Sequence, residues 1–175
     1  MSSIPKSKRT KSSLQVVHDA YKIRKAITDE LLRNFGYNEK EVAKKLEFLA
    51  NKMVQEEQRE AWIKKHAERE KGFHEWFIAQ ERENVLNYAR GIPANLIAAN
   101  TIFPVNMTEF EERRLCLDKA LQCCNNLMQE LQYVAETLPS NKDRYASIVL
   151  DIEKEYTMIK ALRKSDNRFL KHIKG

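Results

Sequence analysis

The chain has 175 residues, a net charge of +6, 42% hydrophobic residues and 32% Asp, Glu, Lys and Arg. Four Gly and four Pro are too few for a sheet built on tight turns, and the mixture of Leu, Ala, Glu, Lys and Arg favours helix. No run of 18 apolar residues is present, so no membrane-spanning helix is expected, and three cysteines with two adjacent do not make a disulfide framework.

Residues 1–13 are polar, basic and aperiodic, the composition of an arm disordered on its own, serving either as a solubilising tail or as a nucleic-acid arm. No apolar segment follows its charges, so it is not read as a signal peptide, and the unpaired thiols fit a reducing cytoplasm. Residues 14–34 predict the first helix. Val16, Ala20, Ile23, Ile27 and Leu31 share a face, while Lys22, Arg24, Lys25 and Arg33 lie largely away from it. Gly36 suits the left-handed position that ends a helix. Asn38 and Glu41 have the spacing of a capping box, and Val42, Leu46, Leu49 and Met53 form the apolar face of a second helix.

Residues 55–72 read as a charged helical connector or insertion, with only Ala61, Trp62, Ile63 and Ala67 as apolar content. Phe73, Trp76, Phe77, Val85 and Tyr88 predict a third periodic helix over 73–88. Gly72 suggests a break before it, Gly91 and Pro93 suggest its end, and 94–100 then forms one or two separate turns.

Residues 108–171 predict a long helical hairpin turning at Leu138-Pro139-Ser140-Asn141, with Thr108 and Glu111 as its opening cap. On the first arm Phe110, Leu117, Leu121, Cys124, Met128, Leu131, Ala135 and Leu138 form a stripe interrupted by Arg114. On the second arm Tyr145, Val149, Ile152, Tyr156, Ile159, Leu170 and Ile173 do the same, widened by Ile148 and Leu162. The expected fold is all-α: a single antiparallel up-and-down bundle over 14–175, with four long helices plus the charged extension. An even number of antiparallel helices brings both termini to one end.

Residues 1–25 carry seven Lys and Arg against Asp19, residues 160–175 carry six against Asp166, and the intervening body is net −5. The bundle therefore predicts one electropositive end, a field that attracts polyanions. Enzyme chemistry has no visible basis. None of His18, His66, His74 or His172 follows a Glu by three residues, so the di-iron helix motif is missing. His66 and Glu70 read as a surface pair, no Cys-x-x-Cys occurs, and four scattered glycines do not build a phosphate loop. No catalytic residue, metal ligand or cofactor site is assigned.

The candidate nucleic-acid-binding residues are Lys6, Lys8, Arg9, Lys11, Lys22, Lys25, Lys160, Arg163, Lys164, Arg168, Lys171 and Lys174. Lys160, Lys164, Lys171 and Lys174 are expected on one side of the last helix, flanked by Arg163 and Arg168. The bland alternative is a solvated face whose cations complement a helix C-terminus. A membrane surface fits less well, because the basic segments hold few large apolar anchors.

Glu111-Glu112-Arg113-Arg114, Glu130-Leu131-Gln132-Tyr133, Thr137-Leu138-Pro139, Ile152-Glu153-Lys154-Glu155 and Lys164-Ser165-Asp166-Asn167 together carry a family resemblance over residues 108–171. This pattern resembles the accessory variability proteins of diversity-generating retroelements, similar in fold to the four-helix proteins encoded within 23S rRNA intervening sequences. The resemblance implies a basic, non-catalytic four-helix bundle, a homo-oligomer (commonly a pentamer), that binds a reverse transcriptase and its template RNA and supports mutagenic cDNA synthesis. The charged 55–71 stretch and the N-terminal arm depart from that pattern. The alternative function is a helical protein-interaction or assembly module of a phage or mobile element with no nucleic-acid role.

Overall fold

The computed structural model describes residues 13–141 and 143–173; residues 1–12 of the predicted arm, with Lys6, Lys8, Arg9 and Lys11, and also Lys174, lie outside them. Five α-helices and no strand are found among the described residues: α1 (Ser13–Leu32), α2 (Glu39–Met53), α3 (Arg59–Thr101), α4 (Met107–Thr137) and α5 (Asp143–Ser165). Short 3-10 turns cover Asn34–Gly36, Glu56–Gln58 and Asp166–Lys171.

Helices α1, α3, α4 and α5 form the expected antiparallel bundle, with α3 and α5 each packed against both α1 and α4. Their apolar stripes meet in one core, where Ile27, Ile92, Leu117, Leu127, Ile152 and Ile159 are fully buried. At one end the close of α1 meets the opening of α5, where Arg144 donates to Glu30 Oε2 through Nε at 3.0 Å and Nη2 at 2.8 Å. Arg82 of α3 reaches the same end, donating to Asn34 Oδ1 at 2.6 Å. Helix α1 therefore begins, and α5 ends, at the opposite end of the bundle.

The first departure from expectation is α3. It is one helix of 43 residues, running without a break through Gly72, Gly91 and Pro93. Pro93 has no N–H, so the Ala89 carbonyl loses its helical donor, which normally breaks a helix. Here Val85, Ala89, Ile92, Leu96 and Ala99 place a buried row against the other bundle helices, and this packing holds the helix together. Gly91 is used for close approach instead: a Cβ there would lie 2.5 Å from Cys123 Sγ on α4. The region 59–88 is thus continuous helix, and 94–100 is its last part.

The ring contact of Phe77 with Tyr133, with centroids 5.3 Å apart, sets the α3–α4 register. Counting from it, residues 59–72 overhang the end of α4 by roughly 20 Å at 1.5 Å per residue. Helix α2 packs on α3, so α2 and the overhang form a two-helix extension. This is the predicted charged helical extension, built from the first turns of a bundle helix instead of a separate connector. Met53 is exposed there, so the α2 face is Val42, Leu46 and Ala50 with Leu49 half-buried.

Helix ends also differ in detail. Asn38 caps α2 by accepting from Lys40 N at 3.1 Å, but Glu41 pairs with Lys44 and the Asn38 N–H goes to the Pro139 carbonyl, so the reciprocal half of the box is absent. Helix α4 is capped by Asn106 in place of Thr108: Asn106 Oδ1 accepts from Glu109 N at 2.9 Å, and Glu109 Oε2 accepts from Val105 N at 2.8 Å. Between α1 and α2 the backbone is left-handed at Asn34, Phe35 and Gly36. Phe35 is a bulky residue in that region, held because its ring is fully buried and Tyr145 Oη donates to its carbonyl.

Three carboxyls lie inside the packing: Asp166, which pairs with Arg113, and Glu155 and Glu81. Glu155 is fully buried beside Cys124, whose thiol burial pushes well above its usual value. Glu81 on α3 is held above the ordinary carboxyl value, first by burial and then by the Glu130 carboxyl on α4. A raised carboxyl pKa means that the folded chain holds the proton more tightly than the unfolded chain. Stability is therefore fully present below the ordinary value of 4.5 and lost as pH rises through the raised folded value. Glu81→Gln is expected to flatten this decline, seen as urea midpoints at pH 4.5 to 8. Parallel curves for the two proteins would contradict it.

Candidate nucleic-acid interface

The last turns of α5 lie beside the first turns of α4, and an open groove of about 610 Å³ runs between them. Arg114, Asp118 and Leu121 line it from α4, and Lys160, Ala161, Arg163, Lys164 and Asn167 from the other side. Four cations thus face one carboxylate, a local excess of +3. Helical phase explains the placement. Residues 160, 163 and 164 recur at three- and four-residue intervals on the flank of the buried Ile159–Leu162 row, and Asn167 follows in the 3-10 turn after α5.

Each cation has a different freedom. Arg163 Nη2 donates to Asp118 Oδ2 at 3.0 Å, so this guanidinium is ion-paired and held in place. Arg114 Nη1 donates to Asn167 Oδ1 at 3.0 Å, a neutral partner that leaves its charge uncompensated. Lys160 is exposed, with its ammonium 5.4 Å from the Tyr156 ring centroid, and Lys164 is exposed. Arg168 and Lys171 are also exposed and belong to the 3-10 turn that follows α5.

That turn corrects the predicted single face. The α-helix stops at Ser165, and Asp166–Lys171 takes three residues per turn, so Lys171 is not set by the α-helical phase of Lys160 and Lys164. Phe169 is its buried apolar side chain, whereas Leu170, expected in the seam, is 43% exposed. On the first arm Arg113, not Arg114, occupies the core position, and Arg114 turns into the groove. In the sequence Arg114 stood out as an interruption of the stripe and as part of the Glu111–Arg114 pattern, not as a binding residue. Its role as a groove cation needed the neighbouring helix to be placed.

Of the two α1 candidates, Lys22 is not brought into this groove. It donates to Asp19 Oδ1 at 3.2 Å and lines a separate cleft of about 250 Å³ with Asp19, Asp151, Lys154 and Glu155. Three carboxylates against two ammoniums make that cleft a poor polyanion site. Lys25 is exposed on α1.

The histidines do different work from a metal site. His66 Nδ1 lies 2.8 Å from the Trp62 carbonyl and its ring stacks on Trp62. Glu70 reaches His74, at 3.7 Å, instead of the predicted His66. His74 is buried, and that burial pushes its pKa below the usual value. Among the described residues no group of three His, Cys, Asp or Glu is placed to hold a metal ion, and no helix is long and apolar enough to cross a membrane.

The chain matches no protein-family model, no curated protein and no solved structure.

Proposed function

We propose that this chain is a non-catalytic RNA-binding accessory protein that holds phosphates along the α4–α5 groove and the turn after it. The observation that supports this reading is the groove lining: Arg114, Lys160, Arg163 and Lys164 against Asp118 alone. Clustered cations on a rigid helical surface bind a phosphate backbone by releasing its counterions, with little regard to sequence. The resemblance over residues 108–171 supplies the identity of the partners: a reverse transcriptase, its template RNA and further copies of the chain, in the cytoplasm, supporting mutagenic cDNA synthesis in a diversity-generating retroelement.

The test is RNA affinity as a function of salt. Contacts from five or six cations give an expected slope of about −3.5 to −4 in log K against log salt for single-stranded RNA. A flat dependence, or no binding at low salt, overturns the reading. A second reading, a protein-interaction or assembly module, is favoured by the two-helix extension and its junction with the bundle, where Phe48 and Met53 of α2 and Phe73 and Trp76 of α3 are exposed. It predicts a stable protein complex purified without nucleic acid.

A further inference from the structure

We infer that Arg113 and Asp166 form a latch that positions the C-terminal cations beside the groove, an inference that rests on the RNA-binding reading. Arg113 Nε donates to Asp166 Oδ2 at 2.6 Å and Nη2 to Oδ1 at 3.3 Å, a two-pronged pairing with both side chains buried. The remaining nitrogen, Nη1, donates to the carbonyls of Ala99 and Ile102, at the close of α3. One guanidinium therefore ties together the end of α3, the first turns of α4 and the turn after α5.

The turn Asp166–Lys171 buries two side chains, Asp166 and Phe169, and both meet Arg113. The Phe169 ring centroid lies 5.4 Å from Arg113 Cζ, 5.1 Å from Arg168 Cζ and 5.3 Å from the Phe103 ring in the α3–α4 connection, so the buried ring also seats Arg168 directly. With three residues per turn, 166 and 169 face inward together, and Arg168 and Lys171 are left exposed. Asn167, between Asp166 and Arg168, accepts from Arg114 of the groove. Where Arg113 holds the turn thus decides where Arg168 and Lys171 present their charge.

Stability alone does not account for this device. A buried ion pair is often no better than a well-packed apolar pair of the same volume, because both charges lose their water. What the fork geometry adds is a fixed orientation between planar groups. Arg113 and Asp166 are accordingly positioning residues. Neither is a contact to the RNA.

The experiment measures anisotropy of a fluorescein-labelled 20-nucleotide oligo(U) RNA from 50 to 300 mM NaCl, with folding checked by circular dichroism. Asp166→Asn is expected to make the salt slope shallower by about 1.4, the share of two phosphates, and to weaken binding about 25-fold at 0.1 M salt. In a chain already carrying Arg168→Ala and Lys171→Ala, D166N should cost less than twofold more, since its effect runs through those cations. Phe169→Ala, which leaves the ion pair intact, should give the same pattern and serves if D166N does not fold. An unchanged slope in D166N or F169A, or penalties that multiply in the combined variant, overturns the latch while leaving RNA binding standing. A wild-type chain that does not bind the RNA overturns the reading on which the latch rests.

Discussion

Arg113→Ala is expected to destabilise the fold by about 3–5 kcal/mol, because it leaves Asp166 charged, buried and without its guanidinium. Asp166 is fully buried, so water does not replace the lost partner without opening the bundle end. The same change frees the Ala99 and Ile102 carbonyls and removes the cation over Phe169. In a chain of this size the melting temperature should fall by about 6–20 °C. The paired variant Arg113→Met with Asp166→Leu should recover most of this loss, because it removes both charges together. Urea and thermal melts of the three proteins check the pattern. A loss below about 1 kcal/mol in Arg113→Ala would show that the pair is solvated in solution.

Replacing Lys160, Arg163, Lys164 and Lys171 with Glu is expected to weaken RNA binding more than 100-fold at 0.1 M salt. Four lost phosphate contacts at about 0.7 each reduce log K by about 2.8 at that concentration, before repulsion is counted. Arg163→Glu also sets a carboxylate beside Asp118, so the helical signal must be compared with wild type. The control carries Lys40→Glu, Lys52→Glu, Lys64→Glu and Lys65→Glu, all exposed positions of the two-helix extension. It makes the same change in net charge away from the groove and should bind within a few-fold of wild type. Equal loss in both variants would mean that overall charge, not the groove, attracts the RNA.

How far the sequence could be read depended on the kind of signal each segment carried. The rows Val16–Ala20–Ile23–Ile27–Leu31 and Tyr145–Ile148–Ile152–Ile159 repeat at helical spacing, and α1 and α5 follow them. Local punctuation was a poorer guide. Gly91 and Pro93 read as a helix end, yet one gives Cys123 its room and the other is carried inside α3 by packing on both neighbours. Asn106 outcompeted Thr108 as a cap because its reciprocal partner, Glu109, reaches the Val105 N–H. Buried charge was the least legible of all. Arg113 and Arg114 are adjacent arginines, and only the arrival of Asp166 from 53 residues away separates a core residue from a groove residue.

The sequence by itself determined an all-α chain, the hairpin turn at 138–141 and the segregation of positive charge to the two chain ends, because helical periodicity and charge runs are local properties of the chain. Tertiary structure decided that 59–101 is one helix, that α2 stands on an overhang, and that Arg114 joins Lys160, Arg163 and Lys164 while Lys22 does not. Those outcomes depend on which helix face meets which neighbour. That is a balance of burial and charge pairing between residues far apart in the chain, and no local pattern encodes it.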